Sequence, residues 1–148
     1  LGEAMLKNTA RQLSYFACDA FELSPQTDTL RKWTSTLPSD ITLLAGALRS
    51  NTTLTALDLS DNHVFGDAGS RHIAQAIKLN ATVRSIALRA TGLGDQAGVS
   101  FGEAIKTNKT LTSLDLSDNA GIGEEGARAL AERLPPGLGC LSLNFGHR

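Results

Sequence analysis

Leu54-Thr55-Ala56-Leu57-Asp58-Leu59-Ser60-Asp61-Asn62 comes back almost unchanged as Leu111-Thr112-Ser113-Leu114-Asp115-Leu116-Ser117-Asp118-Asn119. Val83-Arg84-Ser85-Ile86-Ala87-Leu88 lies between them, and Leu138-Gly139-Cys140-Leu141-Ser142-Leu143 closes the series. Each copy keeps the frame L-x-x-L-x-L. Its alternating end predicts a short strand with one buried face.

Ahead of three copies stands an apolar segment ending in Asn: Leu44–Asn51, Ile73–Asn80 and Phe101–Asn108. Asn51, Asn80 and Asn108 set a period of 28–29 residues. Leu130–Gly137 matches the same segment, and Leu1–Asn8 is a further copy. Asn8 stands well over one period before Asn51, so the first repeat reads as long or irregular. Leu13–Cys18 is expected to form a weaker strand of the series. Thr27–Trp33 is expected to hold another, with only Leu30 in frame.

A third block joins strand to helix: Gly66-Asp67-Ala68-Gly69, Gly94-Asp95-Gln96-Ala97 and Gly123-Glu124-Glu125-Gly126. Gly permits a tight turn. The acid suits the positive end of the helix that follows and can cap its free N–H groups. A small residue three positions after the Gly lets the helix lie close. The helices are expected to bury the pairs Ile73/Ile77, Phe101/Ile105 and Leu130/Leu134. Each closing Asn is expected to stop its helix in the left-handed conformation. Pro38 stands in the column of Asp67 and Asp95, and the helix after it is expected from about Ser39 to Ser50. Thr91 stands where Asn62 and Asn119 do, which breaks one rung of a possible Asn ladder.

These blocks resemble leucine-rich repeat proteins of the ribonuclease-inhibitor-like class, found in NOD-like receptors and in GTPase-activating proteins for Ran. The fold class is therefore α/β, a solenoid. Each strand–turn–helix unit has one apolar face and buries it only by stacking on its neighbours. Helices are wider than strands, so the stack bends into an arc. Short parallel strands line the concave face and α-helices the convex one. The expected organisation is a single array over 1–148: irregular repeats in 1–50, regular repeats in 51–137 and a final strand in 138–148. Neither end reads as a polar cap, and Leu1 opens in mid-helix. The chain is expected to be a fragment of a longer array.

Composition agrees with one ordered domain. The chain has 148 residues, 41% apolar and 20% charged, with a formal net charge of −1. That excludes a disordered or collagen-like chain and argues against a protein built around nucleic acid. No run approaches the roughly 18 apolar residues of a membrane span. Aromatics are only 5%, as expected where every rung reuses aliphatic slots.

Several residues invite a chemical reading. Cys18 and Cys140 would lie about four strand spacings apart in one sheet, too far for a disulfide. That favours an intracellular, cytoplasmic setting. Asn51-Thr52-Thr53, Asn80-Ala81-Thr82 and Asn108-Lys109-Thr110 are N-x-T sequons and suggest glycosylation. They also share one repeat column, which explains them as helix stop and strand return. The Gly92/Gly94 and Gly121/Gly123 pairs match no complete phosphate-loop pattern. His63, His72 and His147 are scattered, and the acids Asp58/Asp61 and Asp115/Asp118 follow the repeat. No catalytic residue, cofactor site or metal site is expected, and the chain reads as a non-enzyme.

The outward strand positions predict a binding grid. One column holds Ala17, Asp58, Ala87, Asp115 and Ser142. A second holds Tyr15, Ala56, Ser85, Ser113 and Cys140. A third holds Asp19, Ser60, Arg89, Ser117 and Asn144. The face is small and mildly acidic, with Lys and Arg mainly on helices and returns. Tyr15, Asp19, Asp58, Ser85, Arg89, Asp115 and Ser142 are the candidate partner-binding residues, Tyr15 and Arg89 the candidate anchors. Trp33 is a second candidate anchor, or a core filler. The expected function is a non-catalytic module binding a partner protein through the concave face. Two alternatives stand: a regulator of an enzyme, such as a GTPase activator supplying Arg89, or an architectural subunit of a large assembly.

Overall fold

Thr29, Ala56, Ser85, Ser113 and Cys140 fall in one register across a parallel sheet. The computed structural model describes residues 16–18, 21–23, 29–30, 38–63 and 65–143. Its elements run β1 (Phe16–Cys18), β2 (Phe21–Leu23), β3 (Thr29–Leu30), α1 (Pro38–Ser50), β4 (Ala56–Asp58) and α2 (Gly66–Leu79). They continue as β5 (Ser85–Ala87), α3 (Asp95–Thr107), β6 (Ser113–Asp115), α4 (Glu124–Ala131) and β7 (Cys140–Ser142). Among the described residues, the parallel sheet has five strands in the order β3-β4-β5-β6-β7. Chain order equals spatial order, as in a solenoid.

The core follows from the frame. Leu57, Ile86 and Leu114 point inward from β4, β5 and β6 and are buried, as are their flanking partners Leu54/Leu59, Val83/Leu88 and Leu111/Leu116. Leu44 and Leu48 of α1, Ile73 and Ile77 of α2, and Phe101 and Ile105 of α3 close over them. Each such side chain contributes about 1.5–3 kcal/mol by burial. Consecutive helices pack on one another. Packed helices sit about 8–10 Å apart and paired strands about 4.8 Å apart, so stacking bends the array with the sheet on the inside.

Gly98 sets how closely α3 and α4 approach. A Cβ there would lie 2.5 Å from the Gly126 carbonyl oxygen. A Cβ on Gly126 would in turn lie 2.9 Å from the Asp95 Cα. The small residue after the turn thus admits the preceding repeat's helix.

The helix-ending asparagines form a buried ladder. Asn80 Nδ2 donates to Leu48 O at 2.7 Å and Asn51 O at 3.0 Å. Asn108 Nδ2 does the same to Ile77 O at 2.7 Å and Asn80 O at 3.0 Å. Their Oδ1 atoms accept the following strand-entry amides: Thr82 and Val83 at Asn80, Thr110 and Leu111 at Asn108. The expected left-handed stop is therefore wrong. Asn80 (φ −76°, ψ 138°) and Asn108 (φ −68°, ψ 134°) are extended, and the side chain ends the helix. The amide nitrogens of Asn80 and Asn108 are thus spent on backbone carbonyls, and that of Asn51 donates to Thr53 Oγ1 at 3.3 Å.

A second ladder runs along the strand exits. Asn119 Nδ2 donates to Leu88 O at 2.8 Å and Leu116 O at 2.9 Å. Thr91 takes part in it through its own repeat and the next one. Its Oγ1 donates to the same Leu88 O at 2.8 Å, and its N–H donates to Asn119 Oδ1 at 2.9 Å.

The acids at the helix starts also differ from expectation. They cap the next repeat rather than their own helix. Asp67 Oδ1 accepts the Gly94 and Ala97 amides at 2.8 and 3.0 Å. Asp95 Oδ1 accepts those of Gly123 and Gly126 at 2.8 and 2.7 Å. Gly94 and Gly123 begin their helices without a side-chain cap of their own.

Two further expectations are corrected. Phe16–Cys18 pairs antiparallel with Phe21–Leu23 in a separate two-stranded sheet, so it is not a rung of the array. The rung beside β4 is Thr29–Leu30, with Leu30 aligned to Leu57. The strand-spacing distance from Cys18 to Cys140 no longer applies. Leu134 does not join Leu130 in the core: α4 ends at Ala131, and Leu134 is 45% exposed. Pro135 disfavours helix at the residue before it.

Candidate partner-binding face

The outward side of the sheet is built from small side chains. Ala56 and Asp58, Ser85 and Ala87, and Ser113 and Asp115 flank each buried core residue and are half-exposed. Asp58, Ala87, Asp115 and Ser142 align across four strands. The first two expected columns therefore hold from β4 to β7; of the third, Asn144 lies outside the described residues. Tyr15 and Asp19 lie outside the described residues, and Thr29 takes the register position given to Tyr15.

The middle rung departs from its neighbours. Asp58 and Asp115 face Ala87 between them. Two residues beyond the strands, Arg89 stands between Ser60 and Ser117 in the repeat. Asp61, Ala90 and Asp118 share a left-handed turn position, with φ of 65°, 50° and 59°. Asp tolerates that region better than Ala, so Ala90 is strained.

These residues enclose an open depression of about 550 Å³, lined by Asp58, Ser60, Asp61, Ala87, Arg89, Ala90, Asp115 and Asp118. Ala87 and Ala90 keep its centre low. Asp58 and Asp115 are oriented by accepting the Ser60 and Ser117 amides at 3.1 and 3.0 Å. Arg89 reaches across one repeat, and its Nη2 donates to Asp118 Oδ2 at 2.8 Å. The Arg89 pKa is raised from its ordinary value, first by this hydrogen bond, then by the charge of Asp118 and then by that of Asp115. Arg89 stays charged and 55% exposed.

The structure thus brings Asp58, Arg89 and Asp115 together. Ser85 and Ser142 lie outside the depression's lining: Ser85 at the start of β5, Ser142 beside Asp115 in register. Asp61 and Asp118 were missed as site residues. Their recurrence in the L-x-x-L-x-L-x-D-N frame was visible, but not the left-handed turn that places them at the rim. Among the described residues no group of His, Cys, Asp and Glu could hold a metal ion. No helix among them is long and apolar enough to cross a membrane.

A family model described as Leucine Rich repeat matches residues 50–74 and 107–131, the two segments that enclose the most regular frames. The chain folds as a leucine-rich repeat solenoid. Over 88 residues it is 36% identical to the NACHT, LRR and PYD domains-containing protein 3 of Mus musculus, covering 59% of this chain. It is 30% identical over 83 residues to the Protein Cep78 homolog of Drosophila melanogaster. The leucine-rich repeat chain spans only 8% and 10% of those relatives' lengths. Among solved structures, the leiomodin-1 actin-binding site 2 superposes with a TM-score of 0.75 at 21% identity, covering 83% of this chain and 73% of that one.

Proposed function

We propose that this leucine-rich repeat chain is a non-catalytic interaction module that holds a partner protein on the concave face of its sheet. The observation that carries this is the depression around Ala87, where Asp58, Asp115 and the Arg89–Asp118 pair converge. Side chains on the strands are small, so a partner can approach the sheet and supply the bulky groups itself. The leiomodin-1 neighbour, described as an actin-binding site, supports protein binding as a use of this fold. The reading takes 1–148 as one array apart from the β1–β2 pair.

A reducing, intracellular setting fits this reading. Cys140 is an exposed free thiol. Asn51, Asn80 and Asn108 are only 4–6% exposed, which leaves the sequons no accessible amide in the folded chain. A GTPase activator supplying Arg89 would first have to release the guanidinium from Asp118, which holds its Nη2.

The test is affinity capture with the 148-residue chain and with a variant carrying Arg89→Glu and Asp115→Arg. A protein retained by the wild type should be lost from the variant while thermal unfolding is unchanged. Equal retention by both would remove the sheet face from the function.

A further inference from the structure

The near-zero net charge is segregated. Acids crowd the edge where strands end and helices begin: Asp58, Asp61, Asp67, Asp95, Asp115 and Asp118. Five bases occupy the opposite edge. Arg49, Lys78 and Lys106 lie in the last turns of α1, α2 and α3. Lys109 and Arg84 lie in the returns just beyond, and all five are exposed. The ladder bonds of Asn80 and Asn108 tie these helix ends side by side. Cations at helix C-termini complement the helix dipole, which accounts for Arg49, Lys78 and Lys106. It does not account for the return residues Arg84 and Lys109. Among the described residues, none of the five takes part in an ion pair.

The apolar surface converges on the same edge. Among the described residues, the exposed large hydrophobic side chains are Leu79, 64% exposed, and Leu134, 45% exposed. Leu79 follows Lys78, in the column where the neighbouring repeats carry Ser50 and Thr107. Leu134 lines a depression of about 400 Å³ with Lys106, Lys109, Pro135, Pro136, Glu132 and Arg133. Within it Arg133 is already paired, to Glu103 at 2.7 Å and to Glu132 at 3.7 Å. Lys106 and Lys109 remain as its unpaired cations, beside an apolar wall of Leu134 and two prolines.

We infer that this basic edge is a second docking surface, for an acidic polypeptide segment that carries a large apolar side chain. The cations complement carboxylates, and the Leu134–Pro136 wall receives the apolar residue. The arrangement favours a peptide over an anionic lipid surface, since two separate leucines offer little area to insert. This surface is distinct from the sheet face and does not depend on it.

The probe is a synthetic Glu-rich 12-residue peptide with one central Phe, titrated by fluorescence anisotropy. The wild-type 148-residue chain should bind it, more weakly at higher salt. Lys106→Glu with Lys109→Glu should weaken binding at least about 10-fold, the loss of two charge contacts. Leu134→Ser, or replacing the peptide's Phe by Ser, should weaken it several-fold. Arg89→Glu with Asp115→Arg should leave it unchanged, which separates this edge from the sheet face. The substituted residues are largely exposed, and an unchanged thermal melt verifies the fold. Indifference to both the lysine and the leucine changes overturns the proposal. So does equal affinity for the Phe-free peptide, or stronger binding to phosphatidylserine vesicles at the same salt.

Discussion

The middle rung, Ile86 to Thr91, and the two rungs beside it make the same core from different surfaces. Inward, Leu57, Ile86 and Leu114 are interchangeable and equally buried. Outward, Asp-Leu-Ser-Asp-Asn becomes Ala-Leu-Arg-Ala-Thr. The fold tolerates this because each changed position either faces solvent or finds a substitute bond. Thr91 reaches Leu88 O with a hydroxyl where Asn119 uses an amide. The array therefore separates stacking, which repeats, from recognition, which varies along it.

That separation can be broken most severely at Gly98, in the helix that follows the middle rung. Gly98→Val should destabilise by more than about 3 kcal/mol, since its Cβ meets backbone that cannot step aside. Denaturant unfolding measures it. Next comes the ladder. Asn119→Ala strips partners from Leu88 O, Leu116 O and the Thr91 and Leu93 amides, and should cost about 2–3 kcal/mol. Thr91→Ala should cost only about 1 kcal/mol, because Asn119 still serves Leu88 O. Equal losses would mean that the hydroxyl is no mere substitute. Ala90→Gly should raise stability by somewhat less than about 1 kcal/mol by relieving the left-handed turn. Arg89→Glu should leave the melting temperature nearly unmoved, for the side chain is 55% exposed and an exposed ion pair contributes little, while partner capture falls.

Much of the array was legible in advance. The columns Ala56–Ser85–Ser113–Cys140 and Asp58–Ala87–Asp115–Ser142 match the observed register position by position. A strand's side-chain period of two ties the outward residues to the buried ones. Legibility failed where a partner lies a whole repeat away. Asp67 looked like a cap for its own helix, and its bonds go to Gly94 and Ala97. Asn80 looked like a left-handed stop, and its amide reaches back to Leu48 and Asn51. Phe16–Cys18 resembled a rung because three residues carry too little pattern to tell parallel stacking from a hairpin. Leu134 keeps the helical spacing of a core residue, but the helix ends at Ala131, ahead of Pro135.

The sequence by itself determined the repeat, its period, the buried columns and the small side chains that face outward. Those properties are local and periodic, so each follows from a residue and its near neighbours. Only the tertiary structure decided which carboxylates cap which amides and where the charges gather. Superposing repeats sums their surfaces, and that sum raises an acidic rim around Ala87 and a basic edge beside Leu79 and Leu134. Neither is visible in any single repeat, because each is assembled from side chains about 28 residues apart.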